Sequence, residues 1–143
     1  MNPDSAIPSV PSATPEDLKA ITETARDYVE GWFTADAERM RRALHPELVK
    51  RTIWHDISGN RWNVEPALTA ETMVRYTQKG GGSALPDPEK SFEIVILDIF
   101  RHIATVKVSS HPYMDYLHLA NMDGRWWIVN CLYELRLGEQ TQP

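Results

Sequence analysis

The stretch from Tyr113 to Leu137 constrains this chain more than any other. It reads Tyr-Met-Asp-Tyr-Leu-His-Leu-Ala-Asn, then Met122-Asp123-Gly124-Arg125, then Trp126-Trp127-Ile128-Val129-Asn130-Cys131-Leu132-Tyr133-Glu134-Leu135. Aromatic and branched residues crowd both flanks, as suits a pleated, partly buried surface, and Asp-Gly between such flanks is a strong hairpin signal. A long antiparallel ribbon is therefore expected. One arm carries Asp115, Tyr116 and His118, and the other carries Asn130 and Glu134, so polar groups fall where a core strand is normally oily. That misfit directs attention to chemistry.

What precedes the ribbon has to supply its partner surface. Thr14-Pro15-Glu16-Asp17 starts a helix: a hydroxyl caps the first amides, proline takes the first helical position, and acids sit near the positive end of the dipole. Leu18, Ile21, Ala25, Tyr28, Val29, Trp32 and Phe33 follow at spacings of three and four, which makes one apolar stripe. Asp36 caps a shorter helix through Met40 and Leu44, and His45-Pro46 stops it. Glu47 to Trp54 is a short strand, His55 to Asn60 a turn, and Arg61 to Val64 pairs back. Thr69-Ala70-Glu71 opens a third helix that Gly80-Gly81-Gly82 ends, with Met73, Val74 and Tyr76 as its buried residues. From Ser91 the pattern becomes strand, Phe92 to Phe100 and then Ile103 to Ser109, with Arg101-His102 as the turn. Helices first and an antiparallel meander after define an α+β arrangement.

At 143 residues, with 42% hydrophobic and 24% charged, the chain has enough apolar material for a core and is not a disordered polymer. We read one domain over 14–137, a flexible N-terminal segment over 1–13 and a tail over 138–143. A net charge of -5 without a dense basic run leaves nucleic acid with little to bind. No apolar run approaches the roughly 20 residues that span a bilayer, so no membrane is expected. Met1 to Thr14, with three prolines and no apolar h-region, does not resemble a signal peptide, and a cytoplasmic protein is the expectation. Cys131 stands alone and reads as a small packed hydrophobe. The glycines at 80–82 follow a helix and are not followed by Gly-Lys-Ser/Thr, which is not the order of a phosphate-binding loop.

Several segments carry a family resemblance: Tyr28-Val29-Glu30-Gly31-Trp32, Asp36-Ala37-Glu38-Arg39-Met40, His45-Pro46-Glu47-Leu48, Asp115-Tyr116-Leu117-His118-Leu119 and Gly124-Arg125-Trp126-Trp127-Ile128-Val129-Asn130. In this order they resemble the nuclear transport factor 2-like superfamily, home of ketosteroid isomerase, scytalone dehydratase and polyketide cyclases, and within it the lumazine-binding group of cystatin-like fold. The resemblance implies a cone: N-terminal helices packed on a curved antiparallel sheet, with a pocket for a small organic ligand between helices and concave face. It also implies subunit pairing through the convex face. Strict alternation would put Trp126, Ile128, Asn130 and Leu132 on one face and Trp127, Val129, Cys131 and Tyr133 on the other. Both sets are apolar, which argues for a homodimer.

Four residues are candidates for catalysis. His45 is either a cap for the preceding helix or an acid-base group at the pocket mouth. Tyr116 and His118 share a strand face about 7 Å apart and bracket a ligand if that face is concave; otherwise they are satisfied core groups. Asp98, alone in an apolar strand, is either a desolvated base able to take a proton beside a carbonyl or the end of its strand. Tyr28, Trp32, Trp54 and Asn130 are candidate ligand contacts. His55-Asp56 lacks the spacing of a metal site, and no metal or cofactor is expected. No nucleophile elbow or persuasive Cys-His pair occurs. The expected activity is cofactor-free isomerisation, dehydration or cyclisation by general acid-base transfer; the alternatives are a binder of a flat heteroaromatic ligand and a dimeric accessory protein with a vestigial pocket.

Overall fold

The computed structural model describes residues 13–136 and the backbone of Thr141–Gln142. Of the segment 1–13 only Ala13 is among them, and of the tail 138–143 only those two residues. Helix α1 spans Pro15–Thr34, and Thr14 and Asp17 close a reciprocal capping box at its start. At its end Ala35 turns left-handed with φ 56. Asp36 then accepts from the Arg39 amide and caps α2, Ala37–Ala43. Strand β1, Leu44–Asp56, pairs through a turn with β2, Arg61–Val64, and α3 runs over Ala70–Gln78 under a Thr69 cap.

The meander follows as β3 (Phe92–Phe100), β4 (Ile103–Ser110), β5 (Tyr113–Met122) and β6 (Arg125–Leu135). Sheet order is β2-β1-β6-β5-β4-β3, open and curved, and Thr141–Gln142 forms β7, a short parallel addition to β1. The sheet is mixed, because β1 joins β6 in parallel while the late strands are antiparallel. A parallel neighbour needs a long crossover. Here the chain between β1 and β6 supplies it.

The core lies between α1 and the inner sheet face: Ile21, Ala25, Val29 and Phe33 from the helix meet Val106, Val108, Leu117, Leu119 and Ile128. Fully burying such a side chain contributes about 1.5–3 kcal/mol. Two polar contacts fix the helix along the sheet, Thr24 Oγ1 donating to the Trp126 carbonyl and Trp126 Nε1 donating to Asp17 at 3.3 Å.

Strict alternation does not hold along β6. The ladder pairs Leu119 with Ile128 and His118 with Asn130, so Val129 is an extra residue, a β-bulge. Beyond it the faces exchange. Trp126 and Ile128 are buried, and so are Cys131 and, in part, Tyr133, whereas Leu132 is exposed. The expected split of this strand is therefore corrected: the inner set is Trp126, Ile128, Cys131 and Tyr133.

Candidate functional site

A cavity of about 140 Å³ opens between α1, α3 and the inner face of the sheet. Its walls are mostly apolar, with Val29, Trp32 and Phe33 from α1, Met73 and Tyr76 from α3, and Leu68 from the approach to α3. Two mutual backbone bonds between Lys50 and Leu68, of 3.1 and 2.7 Å, hold that approach against β1. The glycine run then brings the chain back to α1, where the Gly82 amide donates to the Trp32 carbonyl at 2.9 Å. A Cβ on Gly82 would stand 2.8 Å from Trp32 Nε1, so only glycine permits this approach.

One wall of the cavity is polar and ionisable. Lys50 Nζ donates to the Tyr28 hydroxyl at 2.7 Å, and that hydroxyl donates to Asp115 Oδ1 at 3.1 Å. The Cys131 thiol donates to the same oxygen at 3.4 Å. Lys50 is only 8% exposed and Asp115 6%. The ammonium also sits over the rings of Tyr28 and Tyr133, 5.1 and 4.6 Å from their centroids, as a cation-π contact requires. Lysine, tyrosine and aspartate thus form a chain from β1 through α1 to β5.

Burial dominates the titration of Asp115, Tyr28 and Cys131. It raises the Asp115 carboxyl, against the opposing pull of the Lys50 charge and the Cys131 and Tyr28 bonds. It pushes the Tyr28 phenol well above its usual range, with the charge of Asp115 adding to the effect, and raises the Cys131 thiol too. At the rim, burial takes Tyr133 up to about 12 and raises Tyr113. Trp32 Nε1, a buried donor in the same wall, has no hydrogen-bond partner among the described residues. Burying charges costs several kcal/mol before their attraction is counted, and an apolar trio would pack here at least as well. Such an arrangement makes this wall the candidate site.

Of the residues expected from sequence, Tyr28 and Trp32 line this cavity; His45, Trp54, Asp98, Tyr116, His118 and Asn130 do not. Tyr116 and His118 do share a face, but it is the outer one, where Tyr116 is 44% exposed and His118 Nδ1 lies 3.1 Å from Asn130 Nδ2. Their neighbour Asp115, expected to point away from the site, is the one inside. Asp98 is exposed and bonds its neighbour's amide, Ile99 N, next to a ladder irregularity between Ile96 and Asp98. His45 belongs to a four-residue excursion, His45 to Leu48, set against Val129 alone. There its Nδ1 accepts from the Glu47 amide at 3.0 Å, and its ring meets the edge of Trp127. Trp54 lies on β1 opposite Asn63.

Sequence reasoning missed Lys50 entirely and misdirected Asp115. Lys50 had one usable signal, its place two residues after Leu48 on a strand whose alternate positions turn inward. Among the described residues no group of three metal-ligating side chains occurs, and no helix is long and apolar enough to cross a membrane.

Helices laid on an open curved, mixed sheet are the nuclear transport factor 2-like, or cystatin-like, fold. Residues 16–134 match the family described as "Putative lumazine-binding", and the chain belongs to that family. Solved structures similar to it include an NTF2-like protein of unknown function from Silicibacter pomeroyi DSS-3, at 20% identity, TM-score 0.64, and coverage of 85% of this chain and 97% of that one. Another, from Shewanella baltica OS155, is 18% identical with TM-score 0.64, covering 88% and 98%. A cystatin-like fold protein from Burkholderia xenovorans LB400 is 19% identical with TM-score 0.56, covering 94% and 99%. At these identities the likeness concerns the fold. No curated protein matches the chain.

Proposed function

We propose that the cavity binds a small planar molecule of one or two rings bearing a carbonyl oxygen, and that Asp115 moves a proton on it without a cofactor. The observation that carries this reading is the Lys50–Tyr28–Asp115 chain in the wall of an otherwise apolar hollow. Size narrows the substrate. A dry hollow of about 150 Å³ holds a benzene ring, so a space of 140 Å³ suits a compact ring better than a multi-ring polyketide. Rings of Trp32, Tyr28 and Tyr133 supply flat apolar faces, and Trp32 Nε1 offers a further donor.

Each group has a distinct role. Both bonds from Tyr28 and Cys131 end on Asp115 Oδ1, so Oδ2 is the oxygen for a substrate proton. Asp115 takes that proton from the carbon beside the carbonyl, and the C–H electrons pass to the carbonyl oxygen. The Lys50 ammonium stabilises the enolate by donating to it with an N–H not used on Tyr28, while the Tyr28 hydroxyl holds Asp115 Oδ1 in place. Returning the proton to another carbon completes an isomerisation in which nothing is oxidised or reduced. A carboxyl raised by burial is a stronger base than a solvated one, which suits this task.

Cyclohex-3-enone, a one-ring probe, tests the reading through its conversion to the conjugated enone, followed by absorbance. The full chain should accelerate it, and Asp115→Asn should lower the rate by about 100-fold or more while the ketone still binds. Unchanged turnover in Asp115→Asn removes the proton-transfer role. Binding without turnover in the unmodified chain selects the alternative of a non-catalytic binder.

We further infer that the outer sheet face pairs two copies of the chain. Phe100, Ile103, Tyr116, Met122 and Leu132 are all exposed, and the last four lie on adjacent strands β4, β5 and β6. Exposed apolar side chains gathered on three neighbouring strands suit a face that meets another surface.

A further inference from the structure

We propose that the cavity also accepts small aromatic acids as their anions, and that each anion enters together with one proton. This rests on the reading of the hollow as a ligand site and adds the chemical class and charge of what fills it. Its basis is the charge balance of the wall. Lys50, held against two aromatic faces and donating to Tyr28, is the cation. Asp115, which receives bonds from a hydroxyl and a thiol, is in the geometry of an acceptor-only carboxylate. The empty wall therefore sums to zero.

A carboxylate ligand is drawn to the Lys50 ammonium, the cation in the cavity wall. Its arrival sets two negative charges beside one positive charge in a mostly apolar hollow. Two carboxylates sharing one site do not both stay ionised, so the complex retains a proton between them. The groups that face Asp115 leave no other source of compensation. These are Tyr28 from α1, Lys50 from β1, Tyr113 beside it on β5, and Cys131 and Tyr133 from β6. Among them only Lys50 carries positive charge; the phenols and the thiol are all pushed toward staying neutral. Whether the proton rests on Asp115 or on the ligand, the solution gives up one proton for each anion bound.

Benzoate, with benzamide as its neutral isostere, gives the test on the full chain by titration calorimetry. Run at neutral pH in two buffers of different ionisation enthalpy, benzoate should show uptake of one proton per molecule bound. Its apparent Kd should rise about tenfold for each pH unit above neutrality, while benzamide binds with no proton exchange. Asp115→Asn should keep benzoate binding but lose the proton uptake and flatten the pH slope. The slope of the unmodified chain tests the inference even if that variant fails to fold. Benzoate binding with no net proton overturns the inference, as does binding of benzamide alone; both leave the ligand site standing. If neither probe binds, the ligand-site reading fails and this inference fails with it.

Discussion

Asp27 shows how much a single carboxylate does when two elements share it. Arg42 holds it through two bonds of 2.9 and 2.8 Å, and Arg39 donates to it at 3.0 Å while also reaching Glu30 at 2.7 Å, so α2 is tied to α1 by a small charge network. Partial burial pushes the Asp27 carboxyl up, but the two guanidiniums outweigh it and leave the group below its ordinary 3.8. Folded Asp27 thus binds fewer protons than unfolded Asp27, and its stabilisation is complete above the unfolded value and fades as pH falls through the folded one. Asp27→Asn should cost about 1–2 kcal/mol in urea unfolding at pH 7, and the difference should shrink as pH falls below 3.8 and through the lowered folded value. A constant difference across that range would remove the charge network as its cause. Residues such as Thr14, Asp36 and Thr69 were legible in sequence because a cap acts on its own next turn. Lys50 was not, because its partners lie 22 residues upstream and far downstream in the chain, on β6.

The elements were readable wherever periodicity and turn chemistry agreed. The three helix starts, the Arg101-His102 turn and the Asp123-Gly124 hairpin stand where the sequence places them. Which face of a strand turns inward was not readable, because on β6 both faces are apolar and nothing in the pattern marks Val129 as the surplus residue. The ladder alone reveals it. Deleting Val129 should leave a regular ladder with the same inner set, whereas inserting one alanine between Asn130 and Cys131 should force one side of the strand to turn over, expelling either Trp126 and Ile128 or Cys131 and Tyr133 from the interior. The expected cost is at least about 3 kcal/mol, comparable with truncating a buried aromatic. A lower urea midpoint and loss of the near-ultraviolet tryptophan dichroism would register it. An insertion variant that matches the parent in both would mean that the residue count along β6 does not set the faces.

At the scale of the whole molecule, the sheet divides two environments, the cavity side covered by α1 and α3 and an outer side left open. Leu132→Lys, at a position 49% exposed and next to Tyr116 in the ladder, places charge in the middle of the outer side. If that side pairs two copies, sedimentation should move from dimer to monomer with the fold retained. A parent chain that sediments as a monomer at tens of micromolar would end the pairing idea while leaving the cavity untouched. Sequence pointed toward this division through the Asp115–Tyr116 junction, yet assigned its two members to the opposite sides. The junction has a mechanical meaning. Consecutive residues of one strand address the hollow and the open flank, so β5 is a single partition between two different surroundings. If the open flank carries a second copy, a displacement of that strand by an arriving guest reaches it across one peptide link, and occupancy and assembly become two readings of the same small movement.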